Sequence, residues 1–303
     1  VRYKAEALDL ARALHGEKVD DLNVRELAEA ASRTSEMLRS LSKLIEQRTG
    51  IVYDPDKEDL LADKVEPLVI ERGFDSFLEY RYFLQYDEQA EEEWRRLESV
   101  LAVNETYFWR EVDQIEAAAN ILIPRLQDQK KGRPVRIWHA ACGSGEEPYS
   151  MAIALAEAGR FLHGPVEIIA TDVSQKALEH ARTGLYRQRS FRALPLHLQN
   201  RYFEPAEQGR LRLVEAIRSR VRFERLNLVD PVRKSTMQGL DIIFCRNVFI
   251  YFSQSTIKTV AHSLYNSLNS PGYLFVAAVE SLLRTNTEFD FVDVGSAFGY
   301  LKE

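Results

Sequence analysis

The sequence predicts a mixed α/β fold in which an all-helical N-terminal part precedes a parallel sheet built of βαβ units. Three observations favour this fold. Apolar residues recur at helical spacing from Ala5 to about Leu101, and β-like alternation is scarce there. After Pro134, short β-rich runs alternate with amphipathic helical stretches, which is typical of βαβ units. A chain of 303 residues is also longer than one small core needs, so we expect two domains.

Composition excludes several classes of protein. Hydrophobic residues make up 45% and charged residues 28%, and no apolar run approaches the ~20 residues of a membrane span. A net charge of −6 argues against nucleic acid as a partner. The N-terminal residues lack the apolar core of a secretory signal, and Cys142 and Cys245 allow no disulfide framework. We therefore expect a cytoplasmic protein without membrane insertion, and the histidine spacing predicts no metal site.

The helical half shows its chain reversals at glycines. Gly50 and Gly73 each follow a helical run, as expected at a helix C-terminus. Residues 1–35 form an N-terminal extension that is either helical or mobile. The predicted organisation continues with a helical domain and linker over 36–120 and a sheet-bearing domain over 121–303.

The second half predicts a regular succession of strands and helices. Five β-rich runs are predicted strands: Val135–Ala140, Val166–Thr171, Val221–Arg225, Leu240–Cys245 and Tyr273–Ala278. Three amphipathic runs are predicted helices between them: Glu147–Ala158, Ser174–Arg182 and Gln254–Leu268.

Two further segments complete the prediction for this half. The runs Phe291–Val294 and Ala297–Leu301 suit a closing β-hairpin at the sheet edge. The chain between Tyr186 and Val221 is too long for a simple crossover, and Arg210–Val214 within it alternates as a strand does. We therefore expect a small β subdomain inserted at about 187–220.

A glycine-containing turn joins the first predicted strand to the helix after it. Gly143 and Gly145 allow the backbone to approach a bound nucleoside or phosphate closely. The carboxylates of Glu146 and Glu147 follow directly and would repel a phosphate, so the turn favours a neutral or cationic ligand. S-adenosylmethionine, with a sulfonium, an ammonium and no phosphate, meets that condition. The alternative is a tight βα turn that binds nothing.

Polar residues mark the ends of two other predicted strands. Asp172 stands at the tip of the second strand, where a carboxylate can accept hydrogen bonds from both ribose hydroxyls. Its alternative role is to cap the following helix, a role that we assign to Ser174. The fourth strand is apolar until Arg246 and Asn247, and in open α/β sheets that end borders the ligand crevice.

Six motifs in chain order resemble one family, the chemotaxis receptor glutamate methyltransferases (CheR), and the resemblance extends from about Ser35 to the C-terminus. The motifs are NETYFWRE at 104–111, ACGSGEEPYS at 141–150, TD at 171–172, RTGLY at 182–186, NL at 227–228 and FCRNVFIYF at 244–252. The resemblance implies a Rossmann-like class I methyltransferase sheet with an inserted β subdomain. It also implies S-adenosylmethionine as cofactor and S-adenosylhomocysteine as product.

The activity that the resemblance implies is methyl transfer to glutamate side chains of chemoreceptor cytoplasmic helices, or of a similar signalling protein, in chemotaxis adaptation. We expect a monomer. Two rival functions stand beside this one. A dinucleotide-dependent oxidoreductase would need a turn that accepts phosphate, whereas a catalytically idle, S-adenosylmethionine-binding adaptor would bind the cofactor and transfer nothing.

The resemblance also implies the site residues. The cofactor-binding set is Asn104, Thr106, Arg110, Ala141, Gly143, Glu147, Asp172, Asn227, Leu228, Arg246 and Asn247. Arg110 and Tyr251 would flank the methyl acceptor, although Tyr251 could be a core aromatic and Arg110 only an interdomain salt-bridge partner. A glutamate carboxylate has a pKa of about 4.3 and is already the nucleophile at neutral pH, so no general base is expected.

Overall fold

The computed structural model describes residues 21–103, 105–230, 237–283, 285 and 287–303, with the backbone alone for 21–31. The chain forms two compact units that divide after Leu101. The division predicted at residues 35 and 120 stays a prediction, and residues 1–20 of the predicted extension lie outside the described residues. No helix in the described part combines the length and apolar character needed to cross a membrane.

The first unit is all-helical where the structure describes it, which confirms the predicted class of this half. Its helices are α1 (Asp21–Thr49), α2 (Glu58–Glu71), α3 (Phe77–Tyr86) and α4 (Ala90–Leu101), with a 3-10 turn at Pro55–Lys57. Gly50 (φ +76°) and Gly73 (φ +77°) reverse the chain after α1 and α2, as predicted. Leu41, Ile45 and Val65 are fully buried in the apolar core of the unit.

In its described residues the second unit has ten strands in two sheets. They are β1 (Val135–Ala140), β2 (Val166–Asp172), β3 (Leu185–Tyr186), β4 (Phe203–Pro205), β5 (Leu211–Leu213), β6 (Val221–Arg225), β7 (Leu240–Cys245), β8 (Leu268–Phe275), β9 (Asp290–Val294) and β10 (Ala297–Lys302). The main sheet has the order β6-β2-β1-β7-β8-β10-β9. Its first five strands are parallel, and β10 runs antiparallel to both β8 and β9. This arrangement confirms the predicted parallel sheet with its closing hairpin.

The second sheet is small and antiparallel, with the order β3-β5-β4. It lies in the chain between β2 and β6, where the sequence predicts an inserted subdomain. A crossover between the neighbouring strands β2 and β6 requires only one helix, so the remaining residues of this segment are free to form a separate sheet. The predicted inserted β subdomain is thereby confirmed.

Helices cover both faces of the main sheet. They are α5 (Val112–Ala117), α6 (Ile123–Lys130), α7 (Glu146–Glu157), α8 (Arg160–His163), α9 (Gln175–Thr183), α10 (Leu196–Tyr202), α11 (Glu215–Arg218) and α12 (Gln254–Ser267), with a π-helical turn at Ala118–Leu122 joining α5 to α6. Side chains of β1 alternate between two apolar clusters. Ile137 belongs to the cluster that contains α7, whereas Trp138 belongs to the cluster that contains α12. With both faces buried, ligands can reach the sheet only at the strand ends.

The predicted bounds of the last parallel strand are wrong. The sequence favours Tyr273–Ala278, but β8 spans Leu268–Phe275. Leu268 and Tyr273 both pair with β7, and the residues between them, which include Pro271, form a polar bulge. The bulge interrupts the apolar pattern, so the start of the strand could not be predicted. At the other end Ala277 donates its N–H to the Glu280 side chain instead of continuing the ladder.

The second glycine of the β1–α7 turn is required by protein packing. Gly145 has φ +94°, and a Cβ there would lie 2.8 Å from Ala181 Cβ and 3.2 Å from the Tyr186 hydroxyl. Gly145 therefore allows α7 to begin close against α9 and β3. The prediction that Gly145 allows the backbone to approach a ligand needs correction. The position that a side chain would take at Gly145 faces the protein.

Replacing Gly145 by alanine should destabilise the protein more than the same change at Gly132. Gly132 has a similar backbone (φ +91°), but a Cβ there would meet no atom within 4 Å, so its replacement measures backbone strain alone. We expect Gly145→Ala to lower the free energy of unfolding by about 1–3 kcal/mol more than Gly132→Ala, the usual cost of overpacking. Urea denaturation measures both changes, and equal losses would contradict the packing role.

Candidate functional site

The candidate site lies at the carboxyl ends of three neighbouring strands in the second unit. Ala140 at the end of β1 is in register with Thr171 of β2 on one side and with Cys245 of β7 on the other. The residues that follow these strands are therefore neighbours. The chain leaves this point in opposite directions, through β2 to β6 and through β7 to β8, which is where open α/β sheets bind their ligands.

Asp172 at the end of β2 is joined to the glycine turn. Its side chain is buried; Oδ2 accepts the Gly143 N–H at 2.8 Å and Oδ1 accepts the Ser174 N–H at 2.8 Å. Burial raises the pKa of Asp172, and these backbone N–H groups oppose part of the rise. Each carboxylate oxygen keeps a second acceptor position. Ser174 accepts the Ala177 N–H and caps α9, so the predicted N-cap is confirmed.

Glu147 in the first turn of α7 is held between two basic side chains. Its Oε1 lies 2.7 Å from His139 Nδ1, and its Oε2 accepts a hydrogen bond of 2.7 Å from Arg246 Nε. Burial alone would raise the pKa of Glu147, but the charge and hydrogen bonds of Arg246 and His139 outweigh it and lower the pKa to about 2. Glu147 is therefore ionised at neutral pH, and because a carboxylate only accepts, His139 Nδ1 donates.

Arg246 at the end of β7 is buried and bonded to protein acceptors. Besides Glu147, it donates from Nη2 to the Arg110 carbonyl at 2.8 Å and from Nη1 to the Glu111 carbonyl at 3.0 Å. Nη1 also lies 3.2 Å from Gln114 Oε1. The guanidinium, in a residue that is 4% exposed, thus ties β7 to the segment that precedes α5. The structure brings this predicted residue into the site as a link between segments.

The backbone around Arg246 contains four non-glycine residues in the left-handed region. They are Trp109 (φ 68°), Glu111 (φ 46°), Ala141 (φ 60°) and Asn247 (φ 59°). Such conformations cost of order 1–3 kcal/mol each and persist only where surrounding contacts enforce them. Their concentration beside the strand ends is the pattern that functional sites show.

Arg110 and Tyr251 lie on the open side of this network, and both are half-buried. Arg110 Nη1 donates to the Glu105 carbonyl at 2.9 Å, and its guanidinium carbon lies 5.6 Å from the centre of the Tyr107 ring. Burial raises the pKa of Tyr251, and the positive charge of Arg110 acts in the opposite direction. The charge of Arg110 is therefore close enough to act on the Tyr251 hydroxyl.

The other predicted cofactor residues are less closely connected to the hydrogen bonds of Arg246, Glu147 and Asp172. Asn104 lies outside the described residues, and Thr106 is half-buried. Asn227 and Leu228 follow β6, and the Leu226 N–H donates to the Asp172 carbonyl at 3.1 Å, which brings this segment to the end of β2. The Leu228 side chain itself is buried in the apolar cluster of Trp138.

Four polar residues of the site were missed by the sequence analysis, and one of them is His139, which contacts Glu147. Glu111 and Gln114 contribute acceptors to Arg246. Glu280, after β8, is buried, and its carboxylate accepts the Asn247 N–H at 2.7 Å. An acidic residue inside the apolar run after the last parallel strand was the available signal for Glu280, because a buried charge needs specific partners.

The low pKa of Glu147 predicts a pH-dependent contribution to stability. A carboxyl whose pKa is lowered on folding stabilises the protein above its ordinary pKa of about 4.3, and this contribution is lost as the pH falls towards 2. Between these pH values the unfolding free energy of wild type should fall more than that of Glu147→Gln, by on the order of 3 kcal/mol. Denaturation series at several pH values measure this difference.

The exposed Glu204, changed to glutamine, is the matched control for losing one carboxylate from the same unit. This variant should keep the wild-type pH profile. Parallel pH profiles for wild type and Glu147→Gln would mean that the ion pair with Arg246 does not lower the pKa of Glu147.

Comparison with known proteins identifies the family. The model of the CheR methyltransferase all-alpha domain matches residues 36–101, and that of the CheR methyltransferase SAM-binding domain matches residues 104–298. Chemotaxis protein methyltransferase 2 of Vibrio cholerae is 32% identical, covering 84% of this chain and 89% of the relative. The chemotaxis protein methyltransferase of Vibrio parahaemolyticus is 34% identical over 84% and 92%, and that of Borreliella burgdorferi 31% over 86% and 92%. The resemblance seen in six motifs is confirmed, and the chain belongs to the CheR family of S-adenosylmethionine-dependent chemotaxis methyltransferases.

Proposed function

We propose that this protein methylates glutamate side chains on the cytoplasmic helices of a chemoreceptor, or of a related signalling protein, and forms glutamyl methyl esters in chemotaxis adaptation. The observation that carries the proposal is the buried network in which Arg246 binds both Glu147 and the Arg110 carbonyl, and which thereby joins Arg110 to the anionic crevice. We further propose that it acts as a monomer in the cytoplasm. No observation favours the idle adaptor.

The residues present fit S-adenosylmethionine. Asp172 offers acceptor positions for the ribose hydroxyls at the end of β2. Glu111 Oε2 is buried without a hydrogen-bond partner in the described part of the chain and lies 3.9 Å from Arg246 Nη1, so an acceptor is available for a cationic ligand. We assign the cofactor to Asn104, Thr106, Arg110, Ala141, Gly143, Glu147, Asp172, Asn227, Leu228, Arg246 and Asn247.

The charges of the site suit a cationic cofactor and an anionic acceptor bound at different places. Glu111 and Glu147 lie beside one buried cation, Arg246, and Asp172 adds a third carboxylate at the end of β2. The crevice therefore favours a cofactor that carries a sulfonium and an ammonium. The same carboxylates would repel the acceptor glutamate. Arg110, whose guanidinium lies outside the buried network, supplies the positive charge that the acceptor needs.

The cofactor supplies an electrophilic methyl group bound to sulfur. The acceptor carboxylate is ionised at neutral pH and needs no base. Transfer of that methyl group to a carboxylate oxygen would leave the protein no proton to move. Arg110 can hold the carboxylate with two parallel hydrogen bonds, and Tyr251, whose pKa is raised by burial, stays a hydroxyl donor. Alignment and charge cancellation in a dry site then provide the rate enhancement.

The direct test is methyl transfer to a receptor fragment. Incubation with S-adenosylmethionine that carries tritium in its methyl group and with the cytoplasmic helices of a chemoreceptor should give labelled receptor. Mild base should then release the label as methanol, because a methyl ester is hydrolysed where an N-methyl group is not. Receptor fragments with the accepting glutamates changed to alanine serve as the control. Cofactor binding in calorimetry without any transfer to receptor would identify the idle adaptor instead.

Arg110 should matter more for turnover than for cofactor affinity. If it aligns the carboxylate in the transition state, Arg110→Ala should lower single-turnover transfer by about 100-fold and weaken S-adenosylhomocysteine binding by only about threefold. Lysine should rescue poorly, because a point charge cannot reproduce a planar two-pronged contact. Transfer kinetics and calorimetry on wild type, Arg110→Ala and Arg110→Lys measure both quantities.

The control for Arg110 is Arg222→Ala, which removes an exposed arginine from β6 and should leave both quantities unchanged. Near-normal transfer in Arg110→Ala would mean that Arg110 is a structural residue. The acceptor side would then have to be assigned to Tyr251 and Arg246.

A further inference from the structure

Glu280 is a buried carboxylate between the ends of two neighbouring parallel strands, β7 and β8. Its Oε2 accepts the Asn247 N–H at 2.7 Å and the Ala277 N–H at 3.1 Å, and its Oε1 accepts the Ile250 N–H at 3.3 Å. The residue is only 6% exposed. One side chain thus satisfies backbone donors from two loops that β-sheet pairing no longer holds.

The contacts of Glu280 are with the backbone. Among the residues that the structure describes, no lysine, arginine or histidine forms an ion pair with it. A buried carboxylate without a cation is costly, so its retention needs a compensating contact. Backbone N–H groups converging on both oxygens provide that contact, and the arrangement resembles the capping of a helix start.

The loop that Glu280 holds leads directly to the acceptor side. Asn247 has the left-handed conformation that needs external support, and the 3-10 helix Phe249–Tyr251 begins two residues later. The first N–H groups of such a helix have no partner within it. Glu280 takes the N–H of Ile250, and the helix ends at Tyr251. A shift of this loop would move Tyr251 relative to Arg110.

We propose that Glu280 is a positioning residue of the methyl transfer reaction: by holding residues 247–250 against the end of β8, it sets the place of Tyr251 in the site. This inference rests on the proposed function. It assigns Glu280 no contact with cofactor or acceptor, so its loss should impair alignment in the transition state and leave cofactor binding largely intact.

Glutamine is the informative replacement. Glu280→Gln keeps the size of the side chain, but one of its two acceptor oxygens becomes an NH₂ group that faces a backbone N–H donor. At least one buried donor of the loop then loses its partner. Glu288→Gln is the matched control, because Glu288 follows in the same segment but is exposed and pairs with His262 on the surface.

The experiment compares wild type, Glu280→Gln, Tyr251→Phe, the double variant and Glu288→Gln in methyl transfer to the receptor fragment. Glu280→Gln should lower kcat by about tenfold or more, with S-adenosylhomocysteine affinity and receptor KM within about threefold of wild type. Amide hydrogen exchange of 247–250 should accelerate while the strands stay protected. In the Tyr251→Phe background the glutamine substitution should cost less than about threefold, because both changes act through Tyr251. Glu288→Gln should match wild type.

The outcomes separate the two proposals. If wild type transfers no methyl group, the proposed function fails. Three results with an active wild type would show that Glu280 does not position Tyr251. Glu280→Gln keeps the wild-type kcat, or it lowers kcat and cofactor affinity in parallel. In the third, the fold-loss in kcat of the double variant with Tyr251→Phe equals the product of the two single losses. Glu280→Asp, which keeps the charge but shortens the side chain, is judged by the same criteria if the glutamine variant does not fold.

Discussion

The buried ion pair between Arg246 and Glu147 is the interaction on which the site depends. It joins the end of β7 to the first turn of α7, and the same guanidinium holds the carbonyls of Arg110 and Glu111. A buried pair of this kind adds little net stability against an apolar replacement, but losing one partner leaves an unpaired charge and is costly. What the pair provides is a fixed distance between three segments that are far apart in sequence. The left-handed backbone at Glu111 is tolerable because Arg246 binds the carbonyl of that residue.

The two arginines of the site differ in burial and in the groups that they contact. Arg246 is enclosed and directs its donors to protein acceptors, whereas Arg110 is half-buried and donates to the carbonyl of Glu105. Arginine suits both places, since its planar donor set can bridge several acceptors in the interior and can grip a carboxylate at the opening. The proposed reaction joins an anion to a cation and therefore needs the two arginines to be separated. If Arg246 were buried without Glu147, its charge would repel the positively charged cofactor.

The sequence alone predicted the strands that are buried on both faces, such as Val135–Ala140, because their apolar runs are continuous and bounded by turn residues. It failed at β8, where Pro271 and polar neighbours interrupt the pairing. In the site, the position of Asp172 at a strand end followed from the order of polar and apolar residues. The contact between Glu147 and Arg246 did not, since periodicity says which end of a strand a residue occupies but not which side chain faces it. Glu280 stands out as an acidic residue in an apolar run, but its partners could not be predicted, because they are backbone N–H groups.

Buried anions and cations together make the carboxyl ends of β1, β7 and β8 one connected unit. Arg246 links β7 to α7 and to the segment before α5, and Gln114, which lies beside Arg246, donates from Nε2 to the Val276 carbonyl just beyond β8. Glu280 closes the connection by binding the Asn247 N–H. These hydrogen bonds therefore oppose independent movement of the strand ends. In the proposed reaction, which needs no general base, the protein would contribute mainly by aligning oxygen, carbon and sulfur, and a misplacement of about 1 Å can cost two orders of magnitude in rate.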